Sequence, residues 1–583
     1  MPLRKKHRLY WSGRGLGRGS GLGTGSVIGR NRIAEESPEH RDSDSISDNE
    51  SLESELEPAT ATSDEDEDMW KKNLWTDNRP APDTFDSVPM TPTRMLPSNA
   101  RPIRHFEKFL TLEVFELIVT ETNRYADRNS VVGWTDIDTK ELKAFLGIII
   151  IMGYNILPSL ELYWSSDPAF RVDEISSTMP YRRFKQILRC LHLNDNYKQS
   201  ARSNPAYDKL YKIRPLVTIL NRVFQENACN SSSQSIDESM IVFKGRSSLK
   251  QYMPLKPIKR GFKVWCRCDS YTGYIYEFDI YTGKDGDRVE DNLGAKVITK
   301  LTEKLKGIVA VHVTFDNFFC GYDIMNYLYA NSIHATGTIR RQRADLPKIV
   351  KSKKKLKLEK GQCKWRVKGN VAFVVWQDTK EVLFLTNAFH PKVNVTSVTR
   401  MQRDGTKTEV RCPAVVKEYT KRMGGVDHFD HIKSIYSVGR RSNRWWLRIF
   451  YFLLDSCITN SFLLYSKNVN AAKLTNLEFR VALARGLIGG FSSRKRRSVG
   501  VNYIVRKKAA ASDNYQKSVY VIAPETNFSN VGDHMPVDLP SYQRCRYCST
   551  KIKDKRSKIK CSKCEVPLCV TPCFLNFHKE APT

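Results

Sequence analysis

Apolar side chains first acquire a regular period near residue 104. Phe106, Phe109 and Leu110, then Val114, Leu117 and Ile118, recur at helical spacing. A clearer stripe follows over 179–193, where Phe184, Ile187, Leu188 and Leu191 fall at i, i+3, i+4 and i+7. Arg182, Arg183, Lys185 and Arg189 take the other faces of that helix, either to touch an anion or simply to be solvated. After the polar run 230–234 the period shortens. Ile236–Phe243, Gly261–Cys268 and Tyr274–Tyr281 are rich in β-branched and aromatic residues with Tyr-Thr-Gly turns between them, so they read as three antiparallel strands. A helix over Asn292–Lys306, a strand over Ile308–Phe315, a helix near Tyr322–Ala330 and a strand over Ala335–Arg340 complete an α/β layer in the order of a ribonuclease-H-like sheet. The cation-rich run 341–370 reads as a loop or an inserted subdomain. Strands at Val371–Gln377 and Val382–Thr386, a helical stretch from Ala414 through Ile432 and an apolar helix pair beyond Trp445 follow it.

Composition changes this picture mainly at the two ends. Residues 1–30 alternate Gly, Arg and Ser and cannot bury a core, so a flexible cationic arm is expected. Over 31–70 fifteen acids stand against Arg32 and Arg41, and a Pro-rich stretch follows, for which disorder is the expectation. The acidic block reads either as a solubilising tail or as a mimic of DNA that screens the body. The whole chain of 583 residues nevertheless carries a net charge of +31. A surface this basic attracts polyanions and releases their counterions on binding, which names a partner class and no reaction. The N-terminus lacks an apolar signal core, so the cysteines are expected to be reduced. No bilayer span is expected: Phe145–Met152 is too short, and Trp445–Tyr465 contains Arg448, Asp455 and Asn460.

Carboxylates are where chemistry enters. Asp237 falls within the first strand of the sheet and Asp316 directly after the apolar run Ile308–Phe315; in a ribonuclease-H-like sheet these strands are neighbours. Asp427 and Asp430 are three apart in GGVDHFD and share a helix face, behind paired glycines that suggest a tight helix entry. Hard divalent cations prefer oxygen ligands, and two-metal phosphoryl transfer needs such a set. For any one aspartate a helix cap or a solvated loop carboxylate is the plainer reading; Asp237 and Asp316 gain weight because they adjoin hydrophobic strands, where an uncompensated carboxylate is costly. Glu238 points to the opposite face of the strand from Asp237 and reads as structural. Lys244, Arg246, Lys256, Lys259, Arg260 and Lys263 surround that strand with positive charge where a phosphate backbone could lie.

The phrases SIDESMIVFKGR (235–246), KPIKRGFKVW (256–265), TFDNFF (314–319) and MGGVDHFD (423–430), with YWSSDP (163–168), MPYRRFKQILRCLHLNDN (179–196) and SNRWWLRIFYFLLDSCITNSFLLY (442–465), closely resemble the successive blocks of piggyBac-family transposases. The resemblance covers roughly 104–466. It implies a catalytic triad of Asp237, Asp316 and Asp427, with Asp430 also required, holding Mg2+ or Mn2+. It implies strand nicking, hairpin formation and strand transfer at TTAA targets on double-stranded DNA, by a homodimer that holds two transposon ends, with no small-molecule substrate. The expected organisation is a disordered region over 1–103, a mainly helical dimerisation and DNA-binding domain from 104–234 and 437–493, and a ribonuclease-H-like core from 235–345 and 405–436. An insertion over 346–404, a basic linker over 494–533 and a cysteine-rich zinc-binding domain over 534–583 complete it.

That last segment stands on its own spacing. Of 14 cysteines six crowd into Cys545-x2-Cys548, Cys561-x2-Cys564 and Cys569-x3-Cys573, with His578 close behind. Two CxxC knuckles with further thiols and a histidine are a zinc signature. Seven ligands are one short of two tetrahedral Zn2+ sites, and His534 is the nearest eighth. Interleaved pairing is open at this stage, as is the role: a DNA-reading finger, favoured by Lys551, Lys553, Lys555, Arg556, Lys558 and Lys560, a RING-like or PHD-like partner module, or a zinc-stabilised fold alone. Three functions follow for the chain: a transposase, a host-retained DNA-binding protein that no longer cuts, or a chromatin adaptor. A nuclear location is expected from Arg494-Lys495-Arg496-Arg497 or the basic N-terminus.

Overall fold

The structure is a computed structural model that describes residues 70–72, 82–254, 256–283, 292–351, 356–391, 395–402, 404–493, 534–550 and 553–579. The cationic arm, nearly all of the acidic block and the 494–533 linker with its Arg-Lys cluster lie outside the described residues.

Helices come first: α1 (Leu112–Arg128), α2 (Thr139–Tyr154), α3 (Tyr181–Cys190) and α4 (Arg214–Glu226). The Asp138 side chain caps α2 by accepting from the Glu141 amide at 2.7 Å, so the helix starts at a polar residue and then runs apolar on every face. It is a buried core helix. Arg183 of α3, left open between phosphate contact and solvation, instead forks onto Glu141 at 2.8 and 2.5 Å and lies over the Trp134 ring.

The sheet follows in chain order: β1 (Ser233–Val242), β2 (Arg260–Asp269), β3 (Ile275–Ile280), α5 (Leu293–Thr302), β4 (His312–Phe315), α6 (Tyr322–Ala330) and β5 (His334–Thr338). Strands β1, β2 and β3 pair antiparallel, while β4 runs parallel to β1 and β5 parallel to β4. The spatial order 3-2-1-4-5 is the ribonuclease-H-like one read from the sequence. The strand expected from Ile308 is shorter than its apolar run, because Val309 is exposed and Ala310 takes a left-handed φ of 60°. The described part of the cation-rich run, read as a loop or an inserted subdomain, includes a strand. Strand β6 (Cys363–Lys368) joins β7 (Val371–Gln377) and β8 (Glu381–Thr386), and β8 pairs with β5, so this segment extends the same sheet. A separate hairpin, β9 (Thr396–Met401) with β10 (Lys407–Cys412), leads back towards the site.

The single helical stretch expected over 414–432 is two helices, α7 (Ala414–Arg422) and α8 (Gly425–Ile435). The break has a steric cause. A Cβ on Gly425 would lie 2.4 Å from Ser235 Oγ of β1 and 2.6 Å from the Asp269 carbonyl oxygen, so only glycine lets α8 begin directly on the sheet. Gly273, at φ +77° in the β2–β3 turn, meets the same helix start, where its Cβ would fall 2.6 Å from the Phe429 amide nitrogen.

Helices α9 (Trp445–Ser466) and α10 (Asn476–Ile488) close the core. Helix α9 is long and apolar enough to cross a membrane, yet 89% of its most apolar window is buried inside the fold. Its polar residues explain this placement. Asn460 receives the Ile275 amide at 3.0 Å and donates to the Ile275 carbonyl at 2.9 Å, and Asp455 accepts from Ser437 Oγ and the Val438 amide. They are interior links to β3 and to the loop after α8. Each fully buried Leu, Ile or Phe of this helix contributes roughly 1.5–3 kcal/mol relative to exposure.

Candidate active site and zinc module

Parity along the strands divides the two faces of the sheet. Ile236, Val313, Phe315 and Ala335 turn to one side and pack on Ile298, Leu301, Met325 and Leu328 of α5 and α6. The other side of the same strands carries Ser235, Asp237 and Ser239, then Thr314 and Asp316, then Thr336 and Thr338. The last register pair between β1 and β4 is Ile236 with Phe315, so the next residue on each strand, Asp237 and Asp316, stand side by side on this polar face. One strand further, Thr338 Oγ1 donates to Asp316 Oδ1 at 3.0 Å, and the Asn317 amide donates to the same oxygen at 2.6 Å.

Helix α8 supplies the third carboxylate from above. Asp427, in its first turn, is exposed at the mouth of a cavity of about 520 Å³ that Glu238, Lys256 and Asp430 also line. Asp430 is held differently: its Oδ1 accepts from Ser239 Oγ at 2.6 Å and from Lys433 Nζ at 2.5 Å. Asp430 therefore fastens α8 to β1, with Asp427 one turn nearer the helix start.

The electrostatics mark Asp237. Burial first, then the neighbouring Glu238 and Asp316 charges, oppose its ionisation and raise its pKa from 3.8 to about 7, although Lys256 and the Glu238 amide act the other way. A half-buried carboxylate among like charges calls for a proton or a cation. Oxygen donors from Asp237, Asp316 and Asp427 suit a hard divalent ion. Their oxygens are not drawn together into a ligand group of the kind seen at the C-terminus; the three remain more open, with Lys256 among them.

The six basic residues expected at a phosphate backbone separate into two kinds. Lys244, Arg246, Lys259 and Arg260 are exposed. Lys263 is buried, 3.7 Å from Glu238 Oε2 and over the Phe318 ring, so it faces the interior and is corrected to a partner of Glu238. Lys256 is half-buried and pairs with Glu238 Oε1 at 3.1 Å. Glu238 thus has the structural role read from strand alternation. Sequence reasoning missed Ser239, Thr338 and Lys433; the i+2 spacing of Ser239 from Asp237 and the i+3 spacing of Lys433 from Asp430 were the available signals.

At the C-terminus all eight expected ligands converge in two groups, Cys545, Cys548, Cys569 and Cys573, and His534, Cys561, Cys564 and His578, each with its ligand atoms within 4.8 Å of one another. The chain alternates between the groups, which settles the pairing as interleaved. His534, the least certain ligand from spacing, brings Nδ1 to 3.0 Å from Cys564 Sγ. His578 donates Nδ1–H to the Phe574 carbonyl at 2.7 Å, which leaves Nε2 to face the thiols. Burial disfavours the Cys545 thiolate, but amide donation from Cys548, Cys569 and Tyr547 outweighs it and lowers the pKa to about 7. Both groups have the ligand types and number of tetrahedral zinc sites. Strand β11 (Pro536–Arg544) and β12 (Arg556–Cys561) form the hairpin between them, with Lys553, Lys555, Arg556 and Lys558 exposed.

Comparison with known proteins agrees with this architecture. A family model described as Transposase IS4 matches residues 101–462. The chain is 29% identical over 394 residues to the human PiggyBac transposable element-derived protein 2, covering 66% of this chain and 64% of that protein's length. It is also 29% identical over 507 residues to the human PiggyBac transposable element-derived protein 3, covering 86% and 78%. A cryo-EM structure of a piggyBac transposase synaptic complex with hairpin DNA shares the fold at a TM-score of 0.62 and 23% identity, over 82% of this chain and 97% of that one. With the family model spanning well over half of its length, this chain belongs to the piggyBac transposase family.

Proposed function

We propose that this protein is a DNA transposase that excises an element and inserts it at TTAA targets by nicking, hairpin formation and strand transfer. The observation that carries the reading is the placement of Asp237 and Asp316 at adjacent register positions beneath the helix that presents Asp427. Bound Mg2+ or Mn2+ would be held by these three and would polarise the scissile phosphate and stabilise the charge that develops on it. The chain's own residues do the positioning. Thr338 and the Asn317 amide orient Asp316, while Asp430 with Ser239 and Lys433 fixes the height of α8. Lys244, Arg246, Lys259 and Arg260 supply an exposed cationic rim for the phosphate backbone.

The zinc module is proposed to read the element ends, because its hairpin carries exposed cations between the knuckles. A homodimer acting in the nucleus completes the reading, since two ends must be held at once. One observation favours a second reading, a retained DNA-binding protein without cutting activity: the human relatives are named as proteins derived from an element. A supercoiled donor plasmid carrying the matching terminal repeats separates the two. Excision that disappears with Asp316→Ala supports the transposase; end binding without excision by the wild-type chain refutes it.

A further inference from the structure

Lys256 stands apart from the other cations of its group. Glu238 is shared by two ammonium groups, and Lys263, buried behind it, already answers its single negative charge. The charge of Lys256 is therefore in surplus on the Glu238 side, and it lies in the connection just before β2, lining the cavity that Asp427 and Asp430 also line. Burial works against the ammonium, but Asp237, Glu238 and Asp427 outweigh it and hold its pKa above the usual lysine value. Two of those three are the carboxylates assigned above to the divalent ion.

We propose that Lys256 is a resident counter-ion of the carboxylate cluster, a positioning residue that docks on Glu238, balances Asp237 and Asp427 when no divalent cation is bound, and competes with that cation for them. The inference rests on the reading that Asp237, Asp316 and Asp427 bind a divalent ion. It makes Lys256 an occupant of the site rather than a phosphate contact, and it gives the site a built-in cost for metal entry. Removing the ammonium leaves the carboxylates in excess, so the apo protein loses stability and the site gains affinity for a divalent ion, on the order of tenfold for a dication roughly 6 Å from a unit charge at a water-like dielectric near 80.

The test is Mn2+ titration of the full chain with its zinc module loaded, followed by the free Mn2+ electron paramagnetic resonance signal, together with thermal unfolding in buffer stripped of Mn2+ and Mg2+. Lys256→Met is expected to bind Mn2+ roughly tenfold more tightly and to melt below wild type without Mn2+, with the gap closing at saturating Mn2+. Lys256→Arg, which keeps the charge, is expected to match wild type in both. Should the Met variant not fold, Lys256→Gln is read in the same way against the Arg variant. Unchanged or weaker Mn2+ binding, or a melting gap that Mn2+ does not close, overturns the proposal. Asp316→Asn separates the two ideas: if it leaves Mn2+ binding intact the metal-site reading itself fails, whereas if it abolishes binding and Lys256→Met has no effect, the counter-ion proposal alone fails.

Discussion

The raised pKa of Asp237 makes the metal-free site a liability for folding, and Asp237→Asn isolates that cost. The folded-state pKa of about 7 lies above the unfolded value of 3.8, so the fold favours the protonated form. Below pH 4 the group is protonated in both states and costs nothing. As pH rises from about 4 to 7 the unfolded chain ionises first, and the native state loses stability until pH passes 7, beyond which the loss is constant. A shift of this size corresponds to about 2–4 kcal/mol at pH 8, the lower figure allowing for solvent that reaches the half-buried carboxylate. Asparagine keeps the side-chain oxygen that accepts from the Glu238 amide at 2.7 Å while removing the charge. In buffer free of Mn2+ and Mg2+, Asp237→Asn is expected to melt on the order of 3–8 °C above wild type at pH 8, with the gain shrinking towards zero near pH 4. Saturating Mn2+ is expected to reverse the order, because only wild type gains binding energy. Scanning calorimetry across this pH range checks both. A variant no more stable than wild type at pH 8, or a gain that does not change with pH, refutes the reasoning.

Other perturbations probe the remaining parts of the account. Gly425→Ala forces a Cβ into Ser235 and the Asp269 carbonyl, so urea unfolding is expected to show a loss of about 2–3 kcal/mol and Mn2+ binding to weaken as α8 lifts from the sheet. Asn460→Ala strands the Ile275 amide and carbonyl in the core and is expected to cost about 2–4 kcal/mol by the same measurement. Elemental analysis is expected to find two zinc ions per chain, falling to about one in a His534→Ala chain, with the group containing Cys545, Cys548, Cys569 and Cys573 still loaded. Chelation of zinc is expected to unfold residues 534–579 by nuclear magnetic resonance while the calorimetric transition of the body stays in place.

Periodicity located most of the sheet because its strands alternate sharply. Ile236 and Asp237 belong to opposite faces, and the run through Phe315 ends at the carboxylate that the register then sets beside Asp237. Tertiary packing hid the rest. The split between α7 and α8 depends on how closely Gly425 approaches β1, a distance that no local propensity encodes. Strand β6 was hidden by its cations, since Lys364, Arg366 and Lys368 lie on a half-exposed strand at the far edge of the sheet, where such residues are common. Lys256 and Lys263 are seven residues apart and look alike in sequence; only the fold shows that Lys263 is buried behind Glu238 while Lys256 reaches the cavity. The zinc ligands were legible from spacing, but their interleaving was not, because two knuckles in a row fit either pairing until the β11–β12 hairpin is formed.

The central claim is that three carboxylates from β1, the end of β4 and the start of α8 form one divalent-cation site. Anomalous diffraction from crystals of the full chain grown with Mn2+ tests it most directly. The account predicts a manganese peak bounded by Asp237, Asp316 and Asp427, at about 2.0–2.2 Å from at least one oxygen of each. Full zinc peaks at the two cysteine groups with no manganese between these aspartates would contradict it.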